Sequence, residues 1–89
     1  MKELFLINVS GQDKPGVTRV VTEVLSTFEV TVLDIGQAVI HDQLNLGILA
    51  AVPDRKNSQA LVSAVQSSLQ ALEMQVMFSP ITEQRYQSW

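Results

Sequence analysis

The stretch Val9-Ser10-Gly11-Gln12-Asp13-Lys14-Pro15-Gly16-Val17-Thr18 decides how this chain folds. An apolar run, Leu4 to Val9, enters it, and a helical pattern starting near Gly16 leaves it. Pro15 has a preset φ and lacks the N–H that a first helical turn leaves unpaired. Gly16 has no Cβ, so another backbone or a small ligand can come close. First-turn N–H groups point outward at the positive end of the helix dipole, which makes a ready anion site. Asp13, just before that turn, can hold an ammonium group. Together they suit an amino acid. The same residues also read as a plain helix start, with Asp13 as the cap, Pro15 opening the helix and Gly16 serving packing.

Outward from this corner, Leu4-Phe5-Leu6-Ile7-Asn8-Val9 is apolar at nearly every position, as in a central strand buried on both faces. Downstream, Val17, Val20, Val21, Val24, Leu25 and Phe28 recur with the spacing of one helical face. Arg19, Thr22, Glu23 and Ser26 take the other side. Valine is a poor helix former, so tertiary packing must hold this helix.

Val30 to Ile40 is rich in β-branched residues and reads as a second strand. Its alternate sets are Leu33, Ile35, Gln37 and Val39 against Asp34, Gly36, Ala38 and Ile40. Gly36, in mid-strand, suggests a bulge or a close backbone approach. His41-Asp42-Gln43 predicts a tight hairpin. Leu44 to Val52 alternates: Leu44, Leu46, Ile48, Ala50 and Val52 should meet the helices. Asn45, Gly47, Leu49 and Ala51 should line an open face. Pro53-Asp54-Arg55-Lys56 breaks the pattern. Asn57 or Ser58 caps a second helix whose stripe is Leu61, Val62, Val65, Leu69 and Leu72. Met74 to Phe78 is a last short strand, ended by Pro80.

The order strand, helix, strand, strand, helix, strand, with right-handed crossovers, predicts an α+β, ferredoxin-like βαββαβ sandwich. Its antiparallel sheet has the order 4-1-3-2, with two helices on one face. Residues 1–80 form the domain, and 81–89 are a tail or the start of a linker to a further region. One bare sheet face and edge strands with few charges predict self-association, most simply a dimer through a sheet edge or the open face.

Composition narrows the function classes. A chain of 89 residues with a net charge of −3 has no cysteine, and its six basic residues are scattered. No concentrated basic face exists for nucleic acid or for an anionic membrane surface. An RNA-binding domain of the same topology needs aromatic residues on its central strands; the third strand offers none and the first only Phe5. A metal-carrying relative needs Cys-x-x-Cys. An acylphosphatase-type enzyme needs an arginine in the first loop, which carries only Lys14. His41, the sole histidine, is a turn residue without a second ligand or base beside it. Met74 and Met77 are core or interface fillers. The apolar start is too short for a signal peptide or a membrane span, and the expected location is cytoplasmic.

The pieces Asp13-Lys14-Pro15-Gly16-Val17 and Leu33-Asp34-Ile35-Gly36-Gln37 resemble an ACT domain, a small amino-acid-sensing module of this topology. With Ala38-Val39-Ile40-His41, Leu44-Asn45-Leu46-Gly47-Ile48-Leu49 and the closing Tyr86-Gln87-Ser88-Trp89, the chain is most similar to the N-terminal ACT domain of bacterial phosphoserine phosphatases. The resemblance implies a regulatory role, binding a free amino acid, serine being the natural candidate, at an interface between ACT domains. Asp13 would take the ammonium, the N–H groups near Gly16 and Val17 the carboxylate, and Thr18 a side-chain hydroxyl. Where many ACT domains carry Asn, early in the second strand, this chain has Thr31, so a dimerisation element alone is the other expectation. The parent enzyme would be a haloacid-dehalogenase-type phosphatase that hydrolyses O-phosphoserine with Mg2+. Its Asp-x-Asp-x-Thr motif is absent here, so the chain alone carries no catalytic residues and no cofactor. A stand-alone regulator of amino-acid metabolism acting through protein contacts is the alternative. A reading frame running past Trp89 into that motif would decide for the enzyme module.

Overall fold

The computed structural model describes residues 3–53 and 58–81. Asp54, Arg55, Lys56, the possible cap Asn57 and the tail from Thr82 to Trp89 lie outside the described residues. The elements follow in the predicted order: β1 (Glu3–Gln12), α1 (Val17–Thr27), β2 (Thr31–Ile40), β3 (Gln43–Val52), α2 (Ser58–Gln70) and β4 (Gln75–Ile81). One antiparallel sheet runs β2-β3-β1-β4, the expected order read from its other edge. The fold is the ferredoxin-like α+β sandwich.

The core is the seam between this sheet and the two helices. Ile7 and Val9 of β1 and Leu44, Leu46, Ile48, Ala50 and Val52 of β3 are buried there. Val17, Val21 and Leu25 of α1 and Leu61, Val65 and Leu69 of α2 close over them. The helical spacing of the valines thus works by burial in spite of their poor propensity. Phe5 and Phe78 pack edge to face at the rim, their rings 6.2 Å apart.

Four local expectations are corrected. β1 does not stop at Val9; it runs to Gln12, because Ser10, Gly11 and Gln12 pair with Asn45, Leu44 and Gln43 of the hairpin arm. Gly36 marks neither a bulge nor a close approach: nothing lies within 4 Å of where its Cβ would be. The register shift falls between Val32 and Asp34. It sets Val32 opposite Ala50, on the helix side. Pro80 does not end β4, which continues to Ile81; β4 is an edge strand, where a missing N–H is tolerated. The face away from the helices is only partly open, since Leu49 and Ala51 are 4% and 5% exposed. Asn8, Asn45 and Met77 on that face are exposed.

The turns rely on residues in unusual conformations. His41 and Asp42 form a two-residue hairpin with φ of 51° and 64°, the left-handed pair that such a loop requires. Both helices end in the same way. Beyond α1, Glu29 N–H donates to Ser26 O at 3.0 Å and Val30 N–H to Leu25 O at 3.0 Å. Beyond α2, Glu73 N–H donates to Gln70 O at 2.9 Å and Met74 N–H to Leu69 O at 3.0 Å. These are Schellman closures with glutamate, at φ 58° and 60°, where glycine is usual. Glu29→Gly is therefore expected to raise stability by about 0.5–1 kcal/mol. A shift of the urea midpoint to higher concentration at unchanged slope checks it.

Candidate functional site

The β1–α1 corner is held at both ends. Asp13 N–H donates to Asp42 O at 2.8 Å, tying the corner to the β2–β3 hairpin. On the other side the Lys14 ammonium donates to Leu72 O at 3.0 Å and lies 3.8 Å from Glu73 Oε2. Lys14 thereby sits at the negative, C-terminal end of α2. Gly11 lies against the same turn: a Cβ there would stand 2.7 Å from Met74 Sδ. These tethers fix a loop that composition alone would leave loose.

The helix start itself is bare. Pro15 and Gly16 form a turn before α1 and do not belong to its first turn. Gly16 is the N-cap residue, with φ 87° and ψ 0°, and no side chain caps the helix. Asp13 is exposed and is not the cap, which removes that part of the plain helix-start reading. Gly16 does not serve packing either, because nothing lies within 4 Å of its missing Cβ. Glycine is needed there for its left-handed backbone. Val20 N–H reaches Gly16 O at 2.9 Å, and the N–H groups of Val17, Thr18 and Arg19 before it have no partner among the described residues. Val17 turns its side chain into the core, so it can offer a ligand only its backbone.

Thr18 shows a contact that the sequence did not signal. Its hydroxyl donates to Gln37 Oε1 at 3.1 Å, linking the start of α1 to edge strand β2. The structure thus brings Asp13, Gly16, Val17 and Thr18 to one corner and adds Gln37. It does not bring Thr31, which lies six residues back along β2, roughly 20 Å from Gln37.

A separate shallow depression of about 570 Å³ lies on the sheet, lined by Asn8, Ser10, Asn45, Gly47, Gln75 and Met77 among others. None of the four predicted ligand residues lines it. Its lining carries no charged group, so it offers neither a cation for a carboxylate nor an anion for an ammonium. The helix start is the better fit to a zwitterion.

Residues 3–79 match the family model for the ACT domain. The chain belongs to the ACT domain family. Curated relatives of this ACT domain include phosphoserine phosphatase SerB2 of Mycobacterium tuberculosis, 38% identical over 72 residues. A phosphoserine phosphatase of Streptomyces coelicolor is 31% identical over 70 residues. These alignments take in 80% and 79% of this chain but only 18% and 17% of the two phosphatases. Among solved structures, an ACT domain protein from Streptococcus pneumoniae superposes with a TM-score of 0.77 at 18% identity, covering 88% of this chain and 89% of that one. At that identity the likeness concerns the fold alone. Among the described residues, no helix of this ACT domain is long and apolar enough to cross a membrane.

Proposed function

We propose that the chain is an amino-acid-sensing and dimerisation module of a phosphoserine phosphatase, with L-serine as its first candidate ligand. The observation that carries the ligand reading is the start of α1 at Gly16, uncapped, with three N–H groups free. They would donate to the carboxylate, and Asp13 would accept from the ammonium. The phosphatase relatives make serine the natural candidate. Catalysis, with its Mg2+, would belong to a separate phosphatase domain. In solution the module would work in the cytoplasm, where free serine and the enzyme meet.

Self-association is the second half of the reading. Of the six large apolar side chains that stand exposed among the described residues, five lie on β2: Val32, Leu33, Ile35, Val39 and Ile40, at 39–68% exposure. Covering each would contribute about 1 kcal/mol, or on the order of 10 kcal/mol for the ten side chains of a pair. Association is opposed by roughly 4–15 kcal/mol. The two terms are comparable, and hydrogen bonds along the free edge of β2 then favour pairing.

Calorimetric titration with L-serine tests the ligand reading. A saturating heat at millimolar serine or below is expected. Asp13→Asn should weaken binding about tenfold, the size of one charge-assisted hydrogen bond. Gly16→Ala should weaken it similarly, because a Cβ residue resists φ near 87° by about 1–2 kcal/mol. No heat and no thermal shift at millimolar serine would leave the assembly role alone.

A further inference from the structure

The sheet face away from the helices changes character along its strands. Asn45, Ser10 and Gln75 stand in one row across β3, β1 and β4, and Gly47, Asn8 and Met77 in the next. These rows lie open: Asn45, Asn8 and Gln75 are exposed, and Met77 is 66% exposed. Leu49, Leu6 and Ser79 form the third row, and Ala51, Leu4 and Ile81 the fourth. There Leu49 and Ala51 are buried, and Ile81 is only 8% exposed. None of these three belongs to the core cluster under the helices. Opposed residues share a face, so their burial lies on the side that neither helix covers. Met77, on the same face, shows how much an uncovered apolar side chain keeps in water there. Something therefore lies on Leu49, Ala51 and Ile81, and among the described residues no helix or strand occupies that side.

We propose that the segment 82–89 crosses this end of the sheet and seats Tyr86 and Trp89 on Leu49, Ala51 and Ile81. It leaves β4 at Ile81, the corner of the covered area. Tyr86 and Trp89 are its only large apolar side chains, and they are the sole tyrosine and tryptophan of the chain. Its length suffices. Leu49 lies two strands over and two residues along from Ile81, about 12 Å away. The five residues to Tyr86 span up to about 17 Å, and the eight to Trp89 up to about 27 Å.

The other segments outside the described residues fit poorly. Met1 and Lys2 would have to double back along β1 to reach Leu49, which stands opposite Leu6. Asp54-Arg55-Lys56-Asn57 has no large apolar side chain and must lead to α2, on the opposite face. Seating 82–89 divides the open face in two. While it is in place, only the amide-lined half, with Asn8, Asn45 and Gln75, is left to another molecule. Its release uncovers an apolar strip beside that half.

Two residues of the segment report on it. Trp89 emission in the folded chain is expected to be blue-shifted from that of free tryptophan and shielded from iodide. Arg85 gives trypsin a cleavage site, and the rate at the Arg85–Tyr86 bond, read by mass spectrometry, follows the population in which the segment is open. Leu49→Ala should raise that rate about tenfold, the factor that corresponds to the apolar contact removed. Trp89→Ala should raise it comparably with an unchanged far-UV circular dichroism spectrum, which separates release from unfolding. Met77→Ala, at the open end of the face, should leave it unchanged. Trp89 that emits and is quenched like the free amino acid in the folded chain overturns the proposal. So does cleavage as fast as in an isolated peptide of residues 80–89. Protection that grows with protein concentration overturns it as well, because the segment would then lie on a second copy.

Discussion

Lysine at both Ile35 and Val39 is expected to leave the chain monomeric and folded. Both side chains are already near half exposed, at 46% and 47%, so the fold depends little on them. A pair through β2 would bury four such side chains, each contributing about 1 kcal/mol. Their loss amounts to about 4 kcal/mol, or roughly a thousandfold in the dimer Kd. Four ammonium groups brought together across the edge act in the same direction. Sedimentation equilibrium reads the effect, and far-UV circular dichroism checks the fold. Gln59→Lys, on the exposed side of α2, serves as the control and should change neither.

Ile48→Ala is expected to lower stability by about 3–4 kcal/mol. Ile48 is fully buried on β3, between Ile7 of β1 and Ile35 of β2. Truncation removes apolar contacts and leaves a cavity under both helices, and such changes fall at roughly 2–5 kcal/mol. A domain of this size has about 4–13 kcal/mol in total. The variant should therefore show a much lower urea midpoint. Ile48→Val, which removes one methylene, should lose only about 1 kcal/mol.

The order of elements, the sheet order and, Val62 of α2 apart, the core-facing residues of β3 and both helices were legible in the sequence. Each rests on a local period that burial in one sandwich must respect. Features set by two distant segments were not. Gly11 and Gln12 join β1 only because Leu44 and Gln43 stand opposite them. The irregularity at Leu33 sits in a stretch with no glycine to announce it. Both helix stops place glutamate in the left-handed position, so the usual glycine signal is missing.

The site shows the same division. Asp13, Gly16, Val17 and Thr18 share the predicted corner, because a Pro-Gly turn before an apolar helical stripe needs no distant partner. Whether Asp13 caps the helix was not legible, because a cap depends on side-chain direction. The roles of Lys14 and Gln37 were hidden for a different reason. Their partners, Leu72 and Thr18, lie 58 and 19 residues away in the chain. An uncharged glutamine inside a β-branched run carries no local sign of function.

The measurement that bears most directly on this account is sedimentation equilibrium of the whole chain over a wide concentration range, with and without L-serine. If an amino acid sits between two copies, its binding must favour their association. A dimer that forms at lower protein concentration when serine is present is the predicted result. A chain that stays monomeric throughout, and is indifferent to millimolar serine, would contradict it.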